Sequence, residues 1–160
     1  MKKRVLANSW RQRLQQQLPL LGHRNWIAIV DSAYPWQTAP GIETIATGAP
    51  QLEVVDFVLK AVKKAQHVRP LVYLDAELSA LPEKDAPGVM TYQKKLNKLL
   101  PHGAVQAVLH EEIISMLNEA GKTFRVLILK STLTLPYTSV FVQLDCGYWS
   151  SEAEARLRGT

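Results

Sequence analysis

Alternating strand-like and helix-like segments along the chain predict an α/β protein with a mixed or mostly parallel sheet. Three observations carry that prediction. Trp26-Ile27-Ala28-Ile29-Val30 is a short unbroken apolar run, the pattern of a strand buried on both faces. From Gln51 to Gln66 the residues Val54, Val55, Val58, Leu59, Val62 and Ala65 recur at helical spacing, with Lys60, Lys63 and Lys64 on the outer face. The 160 residues show no internal repeat and no linker between two parts, so residues 1–160 read as a single domain. At 47% hydrophobic residues the chain can bury a sizeable core.

In chain order, Ser9 or Asn8 can cap a first helix, because either side chain accepts a free amide hydrogen of the first turn. That helix runs to about Gln17, and Trp10, Leu14 and Leu18, four residues apart, give it one apolar face. Leu20 to His23 turns the chain into the Trp26–Val30 strand, and Pro35, Pro40 and Gly41 mark the loop after it. Ile42 to Ile45 reads as a short strand, Thr47 to Pro50 as a turn into the Gln51–Gln66 helix, and Pro70 to Leu74 as a third strand. Acidic and proline-containing residues from Asp75 to Gly88 lead into a helix over Met90 to Leu100, stopped by Pro101 and Gly103. Val105 to Val108 reads as a strand and His110 to Ala120 as a helix ending at Gly121. Phe124–Leu129 and Val140–Leu144 complete the strands, and Glu152 to Arg158 reads as an exposed helical tail. Phe57 and Phe124 sit where core packing is expected, while Tyr148 and Trp149 either close the last strand or meet a neighbour.

Composition excludes several classes. One cysteine, Cys146, rules out an intrachain disulfide framework or a cysteine-rich zinc site, and reads as a buried inert thiol. Lys2 to Arg4 imitates the start of an export signal, but polar residues interrupt the run after it, and no apolar stretch reaches the roughly 18–20 residues of a membrane span. A cytoplasmic protein without a membrane partner is expected. The net charge of +5 raises the question of nucleic acid. Its basic residues are dispersed in small groups, Lys2 to Arg4, Lys60 with Lys63 and Lys64, and Lys94 and Lys95 with Lys98, which fit solvated faces. No nucleic-acid partner is expected.

Phosphate-loop, GxGxxG, nucleophile-elbow and HExxH signatures are all absent from the sequence. The polar residues left are those at strand ends, where α/β proteins tend to bind ligands. Asp31 ends the Trp26–Val30 strand; its alternative reading is a loop cap. His23 stands before the same strand, eight residues earlier, about 25 Å away at roughly 3.3 Å per residue. The two meet only if the chain turns before Trp26 or a second subunit brings a copy across; otherwise His23 is a loop or core histidine.

Gly22-His23 with Asp31-Ser32-Ala33-Tyr34-Pro35 resembles the "GH…DA..P" opening of the D-ribose pyranase/L-fucose mutarotase (RbsD/FucU) family. Gly41-Ile42-Glu43 before Gly48-Ala49-Pro50 is similar to that family's next block, and Pro136-Tyr137-Thr138-Ser139 before Val140-Phe141-Val142 is similar to its Tyr-x-Asn and hydrophobic strand. The resemblance implies a three-layer α/β/α domain. It implies exchange between anomers or ring forms of a monosaccharide, with no metal or organic cofactor, and a homo-oligomer, commonly a decamer of two stacked pentamers with pockets completed at subunit contacts.

Opening a hemiacetal requires a base for the anomeric hydroxyl proton and an acid for the ring oxygen, and imidazole, with an unperturbed pKa about 6.5, exchanges protons both ways near neutral pH. On that resemblance His23 is the acid/base residue, Asp31 holds a sugar hydroxyl or orients His23, and Tyr137 offers its phenol. His110 lies where ribose-type members carry a sugar-lining histidine, and equally reads as a first-turn surface histidine. Ser139 replaces the family's Asn, which has an amide to donate and accept, so sugar contacts there differ. Trp36 either walls the pocket or packs its own loop. A noncatalytic sugar-binding or transport-associated module of the same fold is the alternative function.

Overall fold

The computed structural model describes residues 9–103 and 105–159. Ser9 makes the first cap: its hydroxyl accepts from the Gln12 amide while the Gln12 side chain returns a bond to the Ser9 amide. Asn8, the other candidate cap, and the Lys2–Arg4 group lie outside the described residues. The elements in chain order are α1 (Trp10–Gln17), β1 (Trp26–Val30), β2 (Ile42–Ala46), α2 (Gln51–Lys64), β3 (Val68–Asp75), α3 (Val89–Leu99), β4 (Val105–Val108), α4 (His110–Ala120), β5 (Val126–Lys130), β6 (Val140–Cys146) and α5 (Ser151–Arg158).

The six strands form one mixed sheet in the order β2-β5-β1-β6-β3-β4. Only β6 runs antiparallel to its neighbours, β1 and β3; the pairs β2–β5, β5–β1 and β3–β4 are parallel. The wholly apolar β1 takes an interior place in the sheet and is buried at every residue. Its side chains alternate between two cores. Ile27 and Ile29 face the layer containing Leu14 of α1, Val54, Val55 and Val58 of α2, and Leu96 of α3. Trp26, Ala28 and Val30 face Ile113 and Leu117 of α4. Helices therefore cover both faces, giving the three layers the resemblance implies. α5 carries no buried residue and is the exposed tail expected.

Three local expectations need correction. β3 extends past Leu74 to include Asp75, because pairing with β4 continues to Asp75 opposite Val108; Asp75 is thus a buried strand residue rather than the start of a loop. Phe124 precedes β5 and is partly exposed, with the Arg24 guanidinium over its ring, instead of lying in the core. Cys146 is only partly buried, at the last position of β6.

Candidate functional site

Sheet register gathers the polar residues at one end. Val140 of β6 pairs with Ile29 of β1 on one side and with Leu74 of β3 on the other. One residue beyond that rung stand Ser139, just before β6, and Asp75, the last residue of β3, and Asp31 follows the end of β1. The Ser139 hydroxyl is fully buried and donates to Asp31 Oδ1 at 3.1 Å. Since β6 is antiparallel, its amino end joins the carboxyl ends of β1, β3 and β4 at this edge.

A second pair forms where β4 passes into α4. His110, the first residue of α4, places Nδ1 at 2.9 Å from Asp75 Oδ1. The Asp75 side chain is fully shielded and His110 is 20% exposed, so the imidazole is the pair's outlet to solvent. No described side chain or backbone group reaches Asp75 Oδ2. Glu77, just past β3, accepts from the His110 amide with both carboxylate oxygens, at 3.0 and 3.1 Å, serving as the cap that Leu109 cannot provide. His110 is thus held by its ring and by its backbone.

Electrostatics at this cluster follow from burial. Loss of hydration, against the pull of the His110 hydrogen bond and charge and with smaller pushes from Glu77 and Asp31, leaves the Asp75 carboxyl raised to about 6. Tyr34 lies beside the same carboxylates, and its phenol is pushed well above its ordinary range first by burial and then by Asp75 and Asp31. It stays a neutral donor, to Gln37 Oε1 at 2.6 Å. Its ring meets His110 edge-on at 6.1 Å.

Tyr137 stands on the other side of the imidazole, edge-on at 5.4 Å between ring centres. Its backbone has φ 56°, a left-handed conformation uncommon for a bulky residue, which neighbouring bonds must hold in place. They are supplied at Thr138: its carbonyl accepts from Gln51 Nε2 at 3.0 Å and from the Tyr92 hydroxyl at 2.6 Å, and its own hydroxyl donates to the Leu135 carbonyl. Gln51 also donates to the Ile29 carbonyl, tying this loop to β1.

Asp31, Ser139, His110 and Tyr137, four residues singled out from sequence, therefore share one end of the sheet. His23 does not join them. It lies before β1 at the opposite end, in a cleft of about 650 Å³ with Arg24, Arg69, Asp145, Tyr148 and Trp149. The five residues of β1, about 16 Å of strand, separate it from Asp31. Partial burial pushes the Asp145 carboxyl up, but the hydrogen bonds from Arg69 and the Cys146 backbone, the Arg69 charge and a smaller pull from His23 together hold it below its usual range. Trp36 is 80% exposed, so it does not pack against its own loop.

Asp75, Glu77, Tyr34 and Gln51 are parts of this end of the sheet that the sequence reading does not pick out. Asp75 carries the same signal as Asp31, an acid directly after an apolar strand run, and is found by applying that rule to Leu71–Leu74. Gln51 offers none, because a polar residue at a helix start reads as exposed. Among the described residues no group of three or more His, Cys, Asp or Glu side chains is arranged to hold a metal ion, and no helix is long and apolar enough to cross a membrane.

No protein-family model matches the chain, and no curated protein sequence does. Solved structures resemble it in three dimensions. RbsD of Bacillus subtilis in complex with D-ribose superposes with a TM-score of 0.56 at 22% identity, over 91% of this chain and 98% of that one. The fucose mutarotase of Streptococcus pneumoniae in complex with L-fucose gives 0.57 at 15% identity, over 88% and 98%. FucU of Bifidobacterium longum gives 0.54 at 14%, over 83% and 93%. Layer order, sheet and nearly complete coverage agree: this chain has the fold of the RbsD and FucU structures.

Proposed function

We propose that the protein is a sugar mutarotase or pyranase, interconverting anomers or ring forms of a monosaccharide by proton transfer alone. The observation that carries this reading is the pairing of Asp31 with Ser139 and of Asp75 with His110 beside Tyr137, at one end of the sheet. Hemiacetal opening needs a base and an acid and asks for no cofactor; an imidazole and a phenol can exchange those protons while carboxylates hold the sugar hydroxyls. The fold supports the reading, since structures sharing it hold ribose and fucose. Asp31 holds a sugar hydroxyl, with Ser139 orienting it from beneath, while His110 and Tyr137 line the sugar.

His23 is the acid/base residue of this proposal. Because it lies at the opposite end of β1, it reaches Asp31 only from a second copy, so the active form is a homo-oligomer, a decameric ring by resemblance. Residence in the cytoplasm accords with the single free thiol at Cys146.

The test is NMR of the purified protein with ribose, fucose and other aldoses, reading sugar contact by saturation difference and anomer exchange in the same tube. Exchange above the buffer rate for one sugar, abolished by His23→Ala, is the expected result. Contact without faster exchange favours a noncatalytic sugar-binding or transport-associated module. That second reading draws on Ser139, which is fully buried with its hydroxyl engaged by Asp31. Absence of any sugar contact overturns both readings.

A further inference from the structure

The Asp75–His110 pair has a cost that packing does not explain. A carboxylate removed from water costs several kcal/mol unless its oxygens find partners. Asp75 has one partner on Oδ1 and none on Oδ2 among the described residues, and its side chain is fully shielded. Its surroundings make matters worse. Asp31 from the end of β1 and Glu77 from the segment after β3 add negative charge, and the Tyr34 and Tyr92 phenols are neutral; among the described residues His110 is the cation-forming group against it. An apolar residue at the end of β3 would pack at lower cost. The expense falls at the sheet edge where Asp31, Ser139 and Tyr137 collect, and not in either apolar core.

We propose that Asp75 is the positioning residue of the site: its carboxylate holds the Nδ1 hydrogen of His110, leaving Nε2 as the proton acceptor for a sugar hydroxyl. Nε2 is free for that work, since no described residue hydrogen-bonds it, and the Tyr34 and Tyr137 rings bracket the imidazole edge-on. The hydrogen-bonded carboxylate fixes the tautomer and stabilises the imidazolium formed when Nε2 accepts a proton.

This inference rests on the mutarotase reading and divides its acid/base work: His110, positioned by Asp75, accepts the anomeric proton, and His23 is the donor to the ring oxygen. Nε2 takes the anomeric O1–H proton, the O1 electrons close to a C1=O bond, and the C1–O5 bond breaks with its electron pair on O5. O5 takes a proton from His23 of a second copy. Ring closure on the other face of C1 returns every proton.

The experiment is long-range 1H–15N NMR of the 15N-labelled protein, with the His110 ring identified by its loss in His110→Gln, alongside exchange kinetics. The wild type is expected in the Nδ1–H form. Asp75→Asn, close to isosteric, is expected to shift the ring toward the Nε2–H form, because the carboxamide can donate to Nδ1. The same variant should lower kcat about 10- to 100-fold with KM changed less than about threefold, a split that loss of folding or of sugar binding does not give. A wild-type ring in the Nε2–H form overturns the proposal without need of any variant. So does an unchanged tautomer or an unchanged kcat in Asp75→Asn. If the wild type accelerates no sugar, the mutarotase reading fails, while the tautomer in wild type and variant still decides whether Asp75 positions His110.

Discussion

Asp75 shows how one residue links the chemistry of the site to stability. Its carboxyl is pushed up to about 6 in the folded protein from an ordinary 3.8. The folded state therefore binds that proton more tightly than the unfolded state. Stability from this group is fully present below pH 3.8 and is lost as pH rises through 6, a cost of about 3 kcal/mol at neutral pH. Asp75→Asn removes this dependence. Urea unfolding at pH 4 and pH 7 is expected to show the variant gaining on the wild type by about that amount at the higher pH, other carboxylates cancelling in the difference. A gap that stays constant between the two pH values would refute the assignment. A variant that is more stable and slower is the expected exchange of stability for function.

At the scale of elements, the site depends on where β1, β6 and α2 are tied together. Gln51, buried at the first turn of α2, donates to the Ile29 carbonyl of β1 and to the Thr138 carbonyl before β6. Tyr92 of α3 gives Thr138 a second bond. Gln51→Leu keeps the volume roughly constant but strands the Ile29 interaction and leaves Thr138 to Tyr92 alone. The expected loss is about 1–3 kcal/mol in denaturant unfolding, with Tyr137, held at φ 56° by this network, the residue whose NMR signals move most. A loss confined to stability, with Tyr137 signals unmoved, would show that the loop holds its shape without Gln51.

Over the whole molecule, the two ends of the sheet divide the proposed machinery. Asp31, Ser139, Asp75, His110 and Tyr137 are at one end, His23 at the other. If the site is shared between copies, His23→Ala and Asp31→Asn chains, each inactive alone, should recover part of the exchange rate when unfolded and refolded together, because some mixed contacts pair an intact His23 with an intact Asp31. No recovery from assemblies shown to contain both chains would place the acid/base residue within one chain. The surface charge adds little to this picture. Many of the basic residues are engaged locally, as in Arg11–Glu53, Arg13–Glu43, Lys60–Asp56, Arg69–Asp145, Lys122–Glu119 and Arg158–Glu154, and exposed pairs of this kind contribute little to stability.

Local pattern was enough for what depends on local physics. The Trp26–Val30 run, the α2 periodicity and the Ser9 cap could be read directly because backbone pairing, helical spacing and capping involve neighbours in the chain. Asp31 and His110 were legible for the same reason, each at the end of a strand or the start of a helix. Strand order, the reversed direction of β6, and hence the meeting of Ser139 with Asp31 across 108 positions and of Asp75 with His110 across 35 were not. Those contacts are set by which apolar faces pack best against which helices, a property of the whole core. The same packing put His23 and Asp31 at opposite ends of β1, a separation their spacing foreshadowed and only the fold could decide.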